Sequence, residues 1–491
     1  MDGLENNSEP SFQVKAILSR GSTEVASIPC KIWLPKHVSE RPVITFQASG
    51  KDHCASSMMP AQYDLKAGIV GFDGEVETLI VGKEIWLSDS VTKCAGADES
   101  ITTFKGEPSR LTVYKYLKGK KSRSDKKTYI CFHLTDNFLL MPAKSITRSY
   151  TGEVKVRDIR MHVDLINEVG EVSFDTHFYD VKLDDGGVAT YRRLVGVLES
   201  EIQAKETSRL ENTIKPRLAD YILVASFASN QRTHIVGWTA SDSECAAQTY
   251  VGDVSLEKKS KKSKHGHWDV IIDPCDFALF MKTAMTKFRS LSDENVELLR
   301  SALYKILPSA KRTVESTILA HFSALETIIL LFRKKSDLEF TLGKSEWRKL
   351  QNTLREVIRE NTNLFSTEAR RELLMSMLPS LKRVPLREAF NRYVEKNGVD
   401  LSDLWPVLGD ADGSSLNDVR NVLIHGDTYR PNQYDALFAA MLNLGCVVQR
   451  LMLTELDWPI DKSKVSPKHL RSLGWLGNSD LQSDMKNLKC L

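Results

Sequence analysis

The stretch ILAHFSALETIILLF, residues 318–332, marks a change of structural class along this chain. Its apolar residues recur at steps of three and four, which is the period of an α-helix that buries one face. Two stripes have this spacing: Val314, Ile318, Phe322, Leu325 and Ile329, and later Leu437, Met441, Leu444, Val448 and Leu451. The sequence therefore predicts long core helices from about residue 280 onwards.

Three shorter patterns between these stripes also read as helices. They are SEWRKLQNTLREVIREN (345–361), STEARRELLMSML (366–378) and PLREAFNRYVEKNG (385–398). Each begins with a residue suited to cap a helix or with a proline suited to its first turn. Together with the two long stripes they predict a helical bundle.

The N-terminal half has a different pattern, in which short apolar runs alternate with polar residues. Doublets typical of turns, Asp73-Gly74 and Asp185-Gly186, lie between such runs. One helix is predicted at 192–207, in RRLVGVLESEIQAKET. The predicted strands are FQVKAIL (12–18), CKIWL (30–34), ETLIV (77–81), TVYKYL (112–117), YICFHL (129–134), DIRMHVDLI (158–166) and HIVGW (234–238). We expect a β-sandwich or barrel-like domain.

A chain of 491 residues is too long for one ordinary core. The predicted fold class is α+β multidomain, with a β-rich domain over residues 1–275 and a helical bundle over 276–458. The boundary is placed near Pro274. Residues 459–491 are expected to form a polar, extended tail that Leu473, Trp475 and Leu476 could attach to a surface.

Composition restricts the classes of function. The net charge of +3 argues against a globally basic nucleic-acid coat, but not against a local basic surface. The first ten residues, MDGLENNSEP, lack the features of a secretory signal, and we expect a cytoplasmic protein. No apolar run such as YILVASFA (221–228) reaches the length of a membrane span. The eight cysteines include no CxxC motif, so reduced thiols are expected.

Two lysine-dense stretches lie beside predicted strands, at 115–127 and 257–269. Charge runs are usually solvated loops, and that interpretation is preferred here. A contact with an RNA backbone is the alternative.

Several motifs resemble known ligand sites but lack essential residues. Gly343-Lys344-Ser345 ends like a phosphate-binding loop, yet Leu338 stands where that loop needs its first glycine. DADG (410–413) has its glycine too early for a calcium loop. His265 and His267, like His53-Cys54, lack further ligands at metal spacing. No metal and no cofactor are predicted.

The stretch LNDVRNVLIHGDTY, residues 416–429, carries the strongest functional signal. Ser415 with Asp418 predicts a capping box, and Gly426 predicts the helix end. Leu416, Val419 and Leu423 form its apolar side. Asp418, Asn421 and His425 share another side, with Arg420 beside them. This helix could hold a ligand at its polar end.

Glu326 strengthens this signal, because it lies four residues after Phe322 and therefore near the apolar stripe. A buried carboxylate needs a partner. Arg420 is the expected one, since a guanidinium can bind a carboxylate and still donate elsewhere. A purely structural ion pair is the alternative.

The helical part, roughly 285–456, resembles the HEPN superfamily. Members carry Arg-x(4–6)-His near the end of a late bundle helix, often with Asn after the arginine, and the matching positions here are Arg420, Asn421 and His425. The family's early acidic residue matches Glu326. The layout, with a β-rich half before such a domain, looks like the anti-phage HEPN effectors of the ApeA type.

This resemblance implies an endoribonuclease that cuts RNA without a metal ion and acts as a homodimer or higher homo-oligomer. The residue types fit that chemistry, because a neutral histidine can take the proton of a 2′-hydroxyl and an arginine can stabilise charge on the phosphate. His425 is the expected acid/base and Arg420 the phosphate clamp. Asn421 would orient the phosphate or the histidine, and Glu326 would position Arg420.

The same resemblance suggests a role in abortive infection, with the β-rich half sensing an unknown phage-derived trigger or restraining the nuclease. Two other classes of function remain open from sequence. One is a non-catalytic HEPN module that binds a nucleotide or a partner. The other is a carbohydrate- or ligand-binding β-sandwich with a helical oligomerisation domain.

Overall fold

The structure is a computed structural model. The described residues form two compact units, one within residues 1–225 and 233–266 and the other within 226–232 and 267–491. The described residues are 11–35, 41–49, 62–71, 74–94, 100–117, 127–141, 144–148, 154–158, 162–166, 169–182, 187–251, 270–309, 312–336, 339–409, 415–472 and 488.

The first unit begins with a closed antiparallel barrel of six strands. Pairing runs β6-β3-β2-β1-β4-β5 and closes where β5 pairs with β6. Even-numbered residues of β1–β3, such as Ala16, Ile28 and Phe46, fill the interior, and odd-numbered residues face out. The strands are β1 (Phe12–Arg20), β2 (Thr23–Trp33), β3 (Val43–Ser49), β4 (Gln62–Val70), β5 (Val76–Cys94) and β6 (Ser100–Tyr116).

From β6 the sheet continues away from the barrel in the order β14-β13-β7-β12-β11-β10. Helix α1 (Thr207–Ala228) packs on one face of this extension, where Tyr221 stacks on Phe174 with ring centroids 5.5 Å apart. The strands are β7 (Thr128–Leu134), β10 (His162–Ile166), β11 (Gly170–Lys182), β12 (Val188–Ser200), β13 (Ile235–Ser241) and β14 (Cys245–Val251), beside a separate pair, β8 (Lys144–Arg148) and β9 (Val154–Asp158). The predicted β-rich, barrel-like N-terminal half is confirmed.

The predicted helix at 192–207 is wrong. Residues 188–200 form β12, which pairs with β11 on one side and β7 on the other. Leu194 and Leu198 satisfy a helical step of four and a strand alternation equally well, and the valines between them favour the strand. The helix of this unit begins at Thr207 instead.

One predicted turn is present and several other predictions fall outside the described residues. Gly74 adopts φ +80° between β4 and β5, a conformation that favours glycine. Outside the description lie Asp73, Asp185-Gly186, His53-Cys54, residues 118–126, 257–269, 410–413 and 473–487, and with them His265, His267, Leu473, Trp475 and Leu476.

The second unit is helical, which confirms the α+β layout of the chain. The bounds of its helices agree closely with the sequence patterns. They are α2 (Phe277–Arg289), α3 (Asp293–Ile306), α4 (Val314–Lys335), α5 (Lys344–Glu360), α6 (Glu368–Met377), α7 (Leu386–Asn397), α8 (Leu416–Ile424), α9 (Tyr434–Glu455) and α10 (Pro467–Ser472), with 3₁₀ turns at Thr362–Leu364, Leu378–Lys382, Pro431–Gln433 and Ile460–Lys462.

Helices α4 and α9 form the centre of this unit. Both are long and apolar enough to cross a membrane by length and composition, and 39% and 72% of the respective windows are buried within the fold. Helices that are apolar on most sides are typical of a buried core as well as of a membrane span. The sequence expectation concerned uninterrupted apolar runs, and α4 reaches this length only as a whole helix that contains His321 and Glu326. That no segment spans a membrane stays a prediction.

The segment after Trp458 is folded where it is described. Lys464 donates its backbone N–H to Ile271 O at 2.8 Å, and Val465 and Leu470 are buried. The side chain of Arg450 donates to Val465 O at 2.7 Å. Residues 459–472 therefore pack on the bundle and do not form the extended tail that was predicted.

Buried His321 makes the stability of this unit depend on pH. Burial lowers its pKa from 6.5 to about 4. Between about pH 4 and pH 6.5, His321 binds a proton in the unfolded chain but not in the folded chain. The contribution of neutral His321 to the free energy of unfolding is therefore fully present above pH 6.5. It is lost as the pH drops, by about 2 kcal/mol at pH 5.

Urea unfolding near pH 7.5 and pH 5, followed by helical circular dichroism, measures this difference. In a His321→Gln variant, which cannot titrate here, we expect the pH-dependent part assigned to His321 to disappear. An equal loss in both proteins would contradict the assignment.

Candidate functional site

Helix α8 presents the candidate residues, and its N-terminus is fixed by side-chain hydrogen bonds. Asp418 Oδ2 accepts from the backbone N–H of Ser415 and from Ser415 Oγ, each at 2.8 Å. The predicted capping box is thus formed. Asp418 therefore closes the helix start and does not join the group of polar side chains that could bind a ligand.

Arg420 is held from three directions. Its Nη2 donates to Glu326 Oε1 at 3.0 Å, and its Nη1 donates to Asn421 Oδ1 at 3.2 Å. Its guanidinium carbon lies 5.6 Å from the ring centroid of Phe322, in the range of a cation–π contact. The side chain keeps 29% of its surface exposed. These two hydrogen bonds use two of its five N–H groups, so an exposed edge can donate to an anion.

Glu326 reaches Arg420 from the middle of α4, and the predicted pair is present. The reason given from sequence was only partly right, because the Glu326 side chain is 42% exposed and is not buried. It follows Phe322 by four residues, which turns it about 40° away from the centre of the buried stripe. Glu326 stands at the edge of the core, where its bond to Arg420 orients the guanidinium.

Asn421 and His425 occupy the end of α8. Asn421 accepts with its side-chain oxygen from Arg420, so its amide nitrogen remains a donor group. The backbone N–H of His425 donates to Asn421 O at 3.0 Å, and Gly426 then takes φ +85° and turns the chain. His425 is exposed. It lies five positions after Arg420, about 7.5 Å further along the helix axis and about 140° around it.

This arrangement suits a substrate that carries a phosphate. It combines an oriented guanidinium, with an exposed edge, in the middle of a capped helix with an amide and an exposed imidazole towards the end of that helix. Guanidinium groups bind phosphate oxygens with two N–H groups, and imidazole exchanges protons near neutral pH. These are the types of group that binding a phosphodiester and transferring protons beside it would require.

Other nucleophiles and ligands in the described residues are less suited to chemistry. Burial raises the pKa of Cys30 to about 12 and that of Cys446 to about 11, so neither thiol ionises readily. Among the described residues, no three His, Cys, Asp or Glu side chains group as a metal site would require.

Sequence reasoning missed the ring of Phe322 as a contact of Arg420. The available signal was the spacing of four between Phe322 and Glu326, which places both on neighbouring positions of α4. An arginine that reaches one of them passes over the other.

No family model, curated protein or solved structure matches the chain.

Proposed function

We propose that the chain is an endoribonuclease that cuts RNA without a metal ion, through the strip Arg420, Asn421 and His425. The single observation that carries the proposal is the orientation of Arg420 between Glu326 and Asn421, with exposed His425 following at the end of the same helix. This constellation fits the resemblance of the motif to the HEPN superfamily.

In the proposed reaction an imidazole nitrogen of His425 accepts the proton of an RNA 2′-hydroxyl. The 2′-oxygen then attacks the adjacent phosphorus, and the bond from phosphorus to the 5′-oxygen breaks. The leaving oxygen takes up a proton, which gives a 2′,3′-cyclic phosphate and a 5′-hydroxyl. Arg420 stabilises the charge that develops on the phosphate oxygens.

The proton acceptor and the proton donor of such a reaction act on opposite sides of the phosphorus. The strip of one chain offers one imidazole, that of His425, which serves one side at a time. A symmetric dimer that brings two α8 helices together would supply the second histidine, and two-fold dimers are the commonest oligomers. We therefore propose a homodimer, or a higher homo-oligomer, as the active form.

An active ribonuclease inside a cell must be restrained. We propose that the β-rich unit senses a trigger or limits access to the strip, in an anti-phage setting in the cytoplasm. The trigger would be phage-derived.

Glu326 has the role of a positioning residue in this scheme. In Glu326→Gln the hydrogen bond to Arg420 loses its charge, and we expect kcat/KM for RNA cleavage to fall about tenfold or more through misplacement of the guanidinium. Because both side chains are partly exposed, the free energy of unfolding should change by less than about 1 kcal/mol.

Glu388→Gln is the matched control for this measurement, since Glu388 forms an ion pair with Arg392 on α7, where both side chains are about half exposed. An equal loss of cleavage in both variants, or none in Glu326→Gln, would contradict the positioning role.

The experiment that tests the proposed function compares a single-stranded RNA with DNA of the same sequence, each incubated with the protein in excess EDTA. Cleavage of the RNA alone is expected, because DNA lacks the attacking 2′-hydroxyl. Cleavage of both, or of RNA only when a divalent metal is restored, would contradict it. Binding of RNA without cleavage, with or without candidate triggers, would point to a non-catalytic binding module.

A further inference from the structure

The outer surface of the barrel carries a groove of about 360 Å³ on strands β1, β2 and β3. Its lining includes Gln13, Lys15, Pro29, Lys31, Thr45 and Gln47. We call these residues the barrel groove. They offer amide, hydroxyl and ammonium groups beside Pro29, and Val14 and Cys30 complete the lining, so the groove can take a ligand that has both polar and apolar parts.

The strand register places lysines on both sides of this groove. Gln13 of β1 is opposite Lys31 of β2, which in turn is opposite Thr45 of β3. Lys15 stands two residues from Gln13 on the same face. On the next strand, Lys66 of β4 is opposite Ile17 of β1.

Lys66, Lys15 and Lys31 thus lie on three adjacent strands, spread over about 10 Å across the strands and about 13 Å along them. Lys15 and Lys66 are exposed and Lys31 is partly exposed. The outward positions from 13 to 17, 27 to 33 and 43 to 47 include no Asp or Glu, and Asp64, two residues before Lys66 on β4, is paired with Lys83. The face therefore concentrates positive charge although the whole chain is nearly neutral.

An aromatic residue extends the same face. Trp33 follows Lys31 by two residues on β2 and is partly exposed. Proteins that bind single strands combine a positive groove along the phosphates with aromatic rings on which bases stack. The barrel groove, its lysines and Trp33 have this composition.

We infer that the barrel groove with Lys66 and Trp33 is a binding site for single-stranded RNA. This inference rests on the proposed function for the choice of RNA over other single strands, and it assigns to the β-rich unit a direct role in holding the substrate. Lysine ammonium groups contact the phosphates, and exposed Gln13 and Gln47 donate to sugars or bases.

The test uses the full chain with His425→Ala, so that RNA stays intact, and an end-labelled single-stranded RNA of about 15 nucleotides, a length within the site sizes of known single-strand-binding proteins. Fluorescence anisotropy at several salt concentrations gives the Kd and its salt dependence. In Lys15→Gln/Lys31→Gln we expect Kd to rise about tenfold and the salt slope to lose about 1.4, since each phosphate contact contributes about 0.7.

A pair of lysines elsewhere in the same unit provides the matched control. Lys127 and Lys205 form ion pairs with Glu199 and Glu244, and Lys127→Gln/Lys205→Gln removes the same charge. Equal weakening in both double variants would overturn the inference, as would an unchanged salt slope in Lys15→Gln/Lys31→Gln. Selective weakening supports it.

Failure of this inference and failure of the proposed function give different results. A protein that cleaves RNA but binds it with no contribution from Lys15 and Lys31 overturns the groove alone. A protein that never cleaves RNA but loses binding selectively in the groove variant supports the groove and overturns the nuclease.

Discussion

His425→Ala lowers the rate of RNA cleavage at least ~100-fold, because removal of an acid/base group costs about this much or more. The imidazole is the only group of the strip that exchanges protons readily near neutral pH; guanidinium and amide groups do not. His425 is exposed at the end of α8 and its structural contacts there use the backbone. The substitution should therefore leave the fold and the unfolding free energy nearly unchanged.

His469→Ala is the matched control, since His469 lies on α10 in the same unit and is only partly exposed. Cleavage of an RNA substrate by wild type and both variants is measured under single-turnover conditions, with circular dichroism to verify folding. A loss below about tenfold in His425→Ala, or a comparable loss in His469→Ala, would remove His425 from the chemistry.

Arg450→Met lowers the free energy of unfolding by about 3–5 kcal/mol, the usual cost of breaking one partner out of a buried ion pair. The Arg450 side chain is fully buried, and its two terminal nitrogens donate to Asp403 Oδ1 at 2.6 Å and Oδ2 at 2.7 Å. It also donates to Asp400 O and Val465 O. This one side chain connects α9 to the segment after α7 and to the segment before α10.

Without Arg450, the Asp403 carboxylate loses its bidentate partner, although its side chain is only 13% exposed. The backbone carbonyls of Asp400 and Val465 each lose a donor. Urea unfolding measures the loss. In Arg450→Met/Asp403→Leu much of the stability should return, because apolar replacement of a buried pair is often neutral. Arg392→Met, at a half-exposed pair on α7, should cost less than about 1 kcal/mol. A similar cost for Arg450→Met and Arg392→Met would contradict the role given to Arg450.

Local periodicity was sufficient to predict α4 to α9 of the second unit, whereas α2, α3 and α10 were not predicted individually. Each of the patterns 345–361, 366–378 and 385–398 begins and ends within two residues of the helix found there. Their apolar spacing and their caps act within a few residues, so the sequence contains the whole signal. The same holds for the capping box of Ser415 and Asp418.

The pairing of Arg420 with Glu326 could also be predicted, although 94 residues separate them. A carboxylate beside one apolar stripe needs a cationic partner, and Arg420 lies beside the apolar side of another helix. Few other pairings are therefore open to Glu326. The exposure of Glu326 could not be predicted in this way, because a turn of about 40° on the helix decides between core and edge.

Contacts between distant segments account for what was missed. The barrel closes through the pairing of β5 with β6, and its groove combines residues of three strands whose register no short stretch specifies. Helix α1 was missed because Pro216 interrupts its pattern, although Leu210, Ile214 and Leu218 are all buried. Strand β12 was misassigned because its leucines fit two periods.

The central claim is that the strip on α8 directs a 2′-hydroxyl to the adjacent phosphate. The most direct test is the chemistry of the product ends after wild-type protein has cut a defined RNA in excess EDTA, read by mass spectrometry. We predict a 2′,3′-cyclic phosphate on one fragment and a 5′-hydroxyl on the other. A 5′-phosphate with a free 3′-hydroxyl would contradict the claim, because those ends require attack by water instead of the 2′-oxygen.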